Sequence, residues 1–141
     1  MKNTITVSTI VNRPMVLIWE TWNDPHHIVH WNFASDDWHS PSALNDFVEG
    51  GSFAYEMAAK DNSASFVFGG RYTKIVAHES ISYTMADGRM VTIEFTKLPS
   101  GVKIETTFEA EETHSIIEQR QGWQAILDHF KEYTESLNEV D

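Results

Sequence analysis

His26, His27 and His30 lie close together, and His26 with His30 have the i,i+4 spacing that lets two imidazoles on one helix share a cation. A third ligand would have to come from Asp36, Asp37 or His39 across a loop, and no H-E-x-x-H accompanies the pair. The sequence therefore predicts lid or surface histidines at a helix start, with no metal site and no cofactor. His78, His114 and His129 are scattered and read as solvated. Nucleophilic chemistry has no support either, since the chain has no cysteine, no G-x-S-x-G and no glycine-rich phosphate loop. Acid–base catalysis needs a carboxylate or histidine inside an apolar face. By strand parity Glu56, Glu94, Glu105 and Glu109 point outward, so no catalytic residue is assigned. Arg120 is the exception: it falls on the apolar stripe of a long helix one turn before Trp123, where a guanidinium needs either a carboxylate partner or an anionic head group.

Ring surface is what the chain has in excess. Five Trp, eight Phe and four Tyr are present, and rings both fill cores and line pockets for flat or apolar ligands. Phe53, Tyr55, Met57, Phe66, Phe68, Tyr72, Tyr83 and Phe95 share the inner parity of successive strands. Trp31, Phe33 and Trp38 sit in or beside a polar, turn-rich stretch that a compact domain uses as a lid or pocket wall. Trp123, Leu127 and Phe130 lie on the helix stripe with Arg120. Together these residues form the expected lining of a ligand cavity.

The elements that must position them read as follows. Thr4 to Val11 alternates as a half-buried, β-branched strand. Pro14 opens a short helix with Met15, Ile18, Trp19 and Trp22 on one face, and Asp24-Pro25 caps and starts a second. Asn32 to Asn45 has no periodicity. Asp46 to Val48 reads as a short strand, followed by strands over Ser52–Lys60, Ser65–Val76, Glu79–Met85, Arg89–Lys97 and Val102–Ala110. Turns are expected at Asp61-Asn62-Ser63, Asp87-Gly88 and Pro99-Ser100-Gly101, and Gly69-Gly70 predicts a bulge or bend that curls the sheet. The chain closes with one long amphipathic helix from a capping box at Ser115/Glu118 to Val140, its stripe running Ile116, Arg120, Trp123, Leu127, Phe130, Thr134, Leu137. Gly122 in that helix predicts a close approach of another element to the backbone. Strands followed by a helix are the α+β pattern, in which an antiparallel sheet wraps the long helix.

Length and charge bound the rest. With 141 residues the expectation is one domain spanning 1–141. A net charge of −11 argues against nucleic acid and anionic membranes. No apolar run is long enough to span a bilayer and no signal-peptide core is present, so no membrane insertion and a cytoplasmic location are expected. A monomer or a homodimer is expected.

The order of elements, with I-W-E-T-W-N-D-P-H-H-I-V-H-W from Ile18, G-G-S-F-A-Y-E-M from Gly50, F-G-G-R-Y-T-K-I-V from Phe68 and Q-G-W-Q-A-I-L-D-H-F from Gln121, resembles the START/birch-pollen-allergen-like (SRPBCC) superfamily of helix-grip folds. Within it the chain is similar to the polyketide-cyclase-like branch related to the C-terminal domain of the heat-shock-protein-90 ATPase activator. The resemblance covers essentially the whole chain, but not the further N-terminal domain that characterised activators carry. It implies a cavity between a curved sheet of about six or seven strands and the last helix, for a lipid, polyketide or flavonoid-like molecule. It also implies two other roles, a chaperone-linked module of stress response, or a cyclase- or hydrolase-like enzyme using Arg120, Tyr55 or Tyr72 as polar groups. Fold alone does not choose among them.

Overall fold

The structure, a computed structural model, describes residues 3–137. Strand β1 (Thr4–Val11) is followed by helices α1 (Met15–Asn23) and α2 (Pro25–Ile28). Then come β2 (Trp38–His39), β3 (Ala43–Asn45), β4 (Ser52–Ala59), β5 (Ser65–Val76), β6 (Ser80–Met85), β7 (Met90–Leu98) and β8 (Gly101–Glu109), and finally α3 (Ile116–Ser136). The strands form one antiparallel, curled sheet in the order β1-β8-β7-β6-β5-β4-β2, with β3 also paired to β4. This is an α+β helix-grip architecture, as expected. The final helix lies across the inner face of the sheet.

Local chemistry sets the boundaries. Asp24 accepts from the His26 N–H and caps α2, with Pro25 at its first position. Ser115 accepts from the Glu118 N–H while the Glu118 carboxylate accepts from the Ser115 N–H, a complete capping box. Gly88 closes the β6–β7 turn at φ +91°, where a side chain would be strained. Inward residues form rows across the sheet that follow directly from register: Val7, Thr106, Ile93 and Ile81 stand side by side, and Ile5, Phe108, Val91, Tyr83 and Tyr72 make the next row. Phe108, Phe130, Ile18, Ile28 and Ile104 are fully buried and anchor the core.

Four expectations change. The aperiodic stretch before Asn45 contains two short strands, β2 and β3, while 46–48 is not a strand; both strands pair with β4 and are too short to show a period. Gly69-Gly70 is in regular register with Phe53 and Ala54, and the irregularity falls later, between Tyr72 and Lys74. Gly70 instead makes room: a Cβ there would stand 2.6 Å from the Thr84 carbonyl oxygen and 3.1 Å from the Phe53 ring. The long helix ends at Ser136, and the expected continuation beyond Leu137 lies outside the described residues. Arg120 is exposed, not on the buried stripe, which at that turn begins with Gln119 and continues through Leu127, Phe130 and Thr134.

The position of Arg120 has a simple cause. β1 is an edge strand, and its outward carbonyls would otherwise be unpaired. Arg120 Nη1 donates to Thr6 O at 2.9 Å, Gln124 Nε2 to Ser8 O at 3.0 Å and Lys131 Nζ to Ile10 O at 2.6 Å. Alternate carbonyls of a strand recur every ~6.8 Å and the i,i+4 step from Arg120 to Gln124 rises ~6 Å, so those two side chains match the edge directly, while Lys131, ~10.5 Å further along the helix, reaches back to Ile10 through its long side chain. The far end is pinned by Glu135, which accepts from the Asn12 N–H and from Lys131 Nζ, both at 2.8 Å.

Candidate functional site: an aromatic cavity under the last helix

Between the inner sheet face and α3 lies a cavity of about 510 Å³, within the range of small-molecule sites. Its floor is built by inward residues of β4 to β8: Phe53, Tyr55, Met57, Phe66, Phe68, Tyr72, Ile81, Tyr83, Ile93 and Thr106. The roof is α3, through Gln119, Gly122, Trp123, Ile126 and Leu127. Trp22 of α1 and the segment Trp31, Asn32, Phe33, Ala34, Ser35 and Trp38 form one wall. Arg89, Glu111, His114 and Glu118 stand at the other end.

The rings are locked by one another. Phe53 packs edge-on to Tyr83 at 4.8 Å and tilts on Tyr55 at 4.9 Å between centroids. Trp123 stacks on Phe108 at 4.0 Å, which fixes the indole against the floor. The wall segment is tied down at three places: Trp31 Nε1 donates to Thr21 O at 3.1 Å, the Phe33 carbonyl pairs with His129 Nδ1 at 2.6 Å, and Trp38 tilts on Phe66 at 5.7 Å.

Of the residues expected to line the cavity, Trp31, Phe33, Trp38, Phe53, Tyr55, Met57, Phe66, Phe68, Tyr72, Tyr83, Trp123 and Leu127 are brought together around it. Phe95 and Phe130 are not: Phe95 packs on Trp19 and Trp22, and Phe130 on Trp22 and Trp31, so both are core behind the wall. Arg120 is outside it as well, on the β1 edge. Sequence reasoning missed Trp22, Asn32, Gln119 and Ile126, and it placed Ile81, Ile93 and Thr106 on the inner sheet face without assigning them to the cavity. Trp22 was legible as apolar but not as cavity-facing, and Gln119 is recovered if the helix stripe is started one residue earlier. Gln119 also holds the β8–α3 connection, donating from Nε2 to the carbonyls of Glu111 and His114 and accepting from the Glu111 N–H.

Gly122 overturns its expectation. A Cβ at this position would meet nothing within 4 Å, so no element packs against it. The missing side chain faces the cavity instead, leaving room in the roof at the cost of ~1 kcal/mol of helix propensity.

Charge is confined to one end. Arg89 Nε pairs with Asp87 at 2.8 Å and Nη1 donates to Glu109 O at 3.1 Å. Glu111 accepts from the backbone N–H and ring of His114, and the Glu118 carboxylate accepts from the Ser115 N–H in the cap of α3; these hydrogen bonds hold both carboxyls below their ordinary value. Deeper inside, burial pushes the phenols up: Tyr72 to about 12, and Tyr55 and Tyr83 well above the ordinary value. Tyr72 donates to Asn45 Oδ1 at 2.6 Å, and Asn45 Nδ2 passes the chain to Asn23 O at 2.8 Å. At neutral pH the three phenols are therefore uncharged donors.

The histidines of the opening motif serve packing. His27 Nδ1 meets the Tyr133 hydroxyl at 2.7 Å and His30 stacks on the same ring, fastening α2 to α3. His26 is exposed beside Asp24. Among the described residues Glu20, Asp24 and His27 bring possible ligand atoms within 4.8 Å of one another, but this group lies outside the cavity and Asp24 and His27 are already used as cap and tether.

A curled sheet gripping a long helix around an aromatic cavity defines the class. The family model described as Activator of Hsp90 ATPase homolog 1-like protein matches residues 12–135, and the chain belongs to that family. Among solved structures it is similar to an AHSA1-like protein from Aeromonas hydrophila (42% identity, 95% of this chain and 93% of that one, TM-score 0.90). It is also similar to a protein from Cytophaga hutchinsonii (46% identity, 95% and 92% covered, TM-score 0.79). A more distant protein from Chromobacterium violaceum, at 23% identity and TM-score 0.84, shares the fold. No curated protein matches the chain. No helix among the described residues is long and apolar enough to cross a membrane.

Proposed function

We propose that this protein binds an apolar or amphipathic small molecule, of lipid, polyketide or flavonoid-like chemistry, in the cavity between sheet and last helix, without catalysing its conversion. The observation that carries the reading is Gly122. A mid-helix glycine with open space where its Cβ would be, above a floor of locked rings, keeps volume free at a cost in stability. Binding a flat ligand there gains apolar burial, and the rigid rings lose little entropy. The carboxylates near the cavity are engaged, Glu111 by the backbone N–H and ring of His114 and Glu118 by the Ser115 N–H, and the phenols stay protonated, which supports binding over acid–base turnover. Native mass spectrometry of freshly purified protein tests it: a mass increment that disappears after refolding from denaturant is expected, and the refolded protein should then retain one molecule from an apolar panel. Failure of every panel member to bind the stripped protein overturns the reading.

The family description favours a second reading, a cytoplasmic module that acts on a heat-shock-protein-90-type ATPase. Stimulation of the chaperone's ATPase by the purified chain would support it, and a flat response across a concentration series would remove it.

A further inference from the structure

The cap at Asp24 and the tether at His27 each use one atom and leave another free. Asp24 Oδ1 accepts from the His26 N–H at 2.9 Å and lies 3.2 Å from the His26 ring nitrogen, while Oδ2 has no partner among the described residues. His27 Nδ1 meets the Tyr133 hydroxyl at 2.7 Å, and Nε2 makes no hydrogen bond among the described residues. Glu20 is exposed, and its carboxylate has neither a hydrogen bond nor an ion pair there.

These three residues follow one another at steps of four and three, which brings them to one side of the junction between α1 and α2. One ligand atom from each lies within 4.8 Å of the others. Metal–ligand bonds of about 2.0–2.2 Å hold neighbouring donors of a tetrahedral site roughly 3.4 Å apart. A side-chain shift of about 1 Å therefore closes the trio, and the exposed Glu20 chain is free to make it. Two carboxylates are gathered here with no lysine or arginine paired to either among the described residues. Like charges so close repel until a cation joins them. One imidazole nitrogen with two carboxylate oxygens suits zinc, cobalt or nickel better than magnesium or calcium, which prefer sites made of oxygen alone.

We propose that Glu20, Asp24 and His27 bind a divalent transition-metal ion of the zinc type, with the Tyr133 hydroxyl accepting from His27 Nδ1–H so that Nε2 carries the lone pair offered to the metal. Proteins commonly orient a ligating imidazole in this way, through a hydrogen bond to its other nitrogen. The ion joins α1 to α2, and through Tyr133 it meets the contact that fastens α2 to α3. This site is separate from the cavity and does not depend on what the cavity holds.

Isothermal titration calorimetry of the chelator-treated protein with zinc chloride tests the proposal. Saturable one-to-one binding with a Kd on the order of 10 µM or tighter is expected, and calcium or magnesium chloride should bind at least about tenfold more weakly. Glu20→Gln changes an exposed position, so the variant should stay folded by circular dichroism while zinc affinity falls about tenfold or more. Long-range 1H–15N NMR of the histidine rings gives a readout independent of affinity. His27 should be the Nδ1–H tautomer before zinc is added, and its Nε2 resonance should move first on binding. Zinc affinity unchanged by Glu20→Gln, calcium binding as tight as zinc, or no saturable zinc binding would each overturn the assignment. So would an Nε2–H tautomer of His27 in the metal-free protein, or earlier movement of another ring such as His114, which pairs with Glu111.

Discussion

Gly122 and Arg120 sit two residues apart on α3 and exchange the meanings their sequence contexts imply. The glycine reads as a packing contact and proves to be empty space over the cavity; the arginine reads as a buried polar group and proves to be an exposed cover for β1. Nothing stands within 4 Å of the missing Cβ, so Gly122→Ala should stabilise the fold by about 0.5–1 kcal/mol through helix propensity alone. Urea denaturation measures it, and a loss of stability would mean that the backbone is approached after all. Arg120→Leu should leave ligand affinity unchanged, because the side chain is outside the cavity. Its effect belongs to the edge: the Thr6 carbonyl loses its donor, stability falls by less than about 1 kcal/mol, and self-association rises with concentration in analytical ultracentrifugation. A fall in affinity without self-association would return Arg120 to the site.

At the scale of elements, most of the site was legible because its parts obey strict periods. Inner parity on β4, β5 and β6 placed Phe53, Tyr55, Phe68, Tyr72 and Tyr83 on one face, and register alone then made them neighbours. The capping box fixed the start of α3. What was not legible lacked a period. β2 and β3 are too short to alternate, and they exist because β4 offers them an edge. The helix stripe was read one residue out of phase at its first turn, since Arg120 and Gln119 are both long and polar and only the β1 carbonyls distinguish them. Phe95 and Phe130 have the right parity and phase, but they pack against the cavity-lining rings of Trp22 and Trp31 and do not themselves line the cavity, an arrangement set by how α1 and α2 dock. Gln124 has the same role as Arg120 toward Ser8, so an Arg120→Leu, Gln124→Leu double variant should self-associate more strongly than either single one, with edge-to-edge pairing as the physical route.

For the molecule as a whole, the buried phenols tie stability to pH. Burial raises Tyr72 to about 12 and lifts Tyr55 and Tyr83 as well, whereas the unfolded chain ionises its phenols near 10. Below about pH 10 both states carry neutral phenols and the contribution is fully present. Above it the unfolded state alone loses protons, so stability falls as pH rises toward the folded value, by up to about 3 kcal/mol for Tyr72. Phenolate absorbance followed through alkaline titration should show delayed ionisation coincident with unfolding; four tyrosines ionising together near 10 in a folded protein would contradict it.

The central claim is that the space beneath Gly122 exists to hold a ligand, and a titration of the stripped protein with Nile red, a neutral solvatochromic dye, tests it most directly. The wild type should show saturable one-site binding with blue-shifted emission. Gly122→Leu, whose Cβ starts in open space on the cavity roof and whose isobutyl group takes up cavity volume, should weaken that binding by about tenfold or more while the protein stays folded by circular dichroism. Equal binding by both proteins, or no saturable binding by the wild type, would contradict the account.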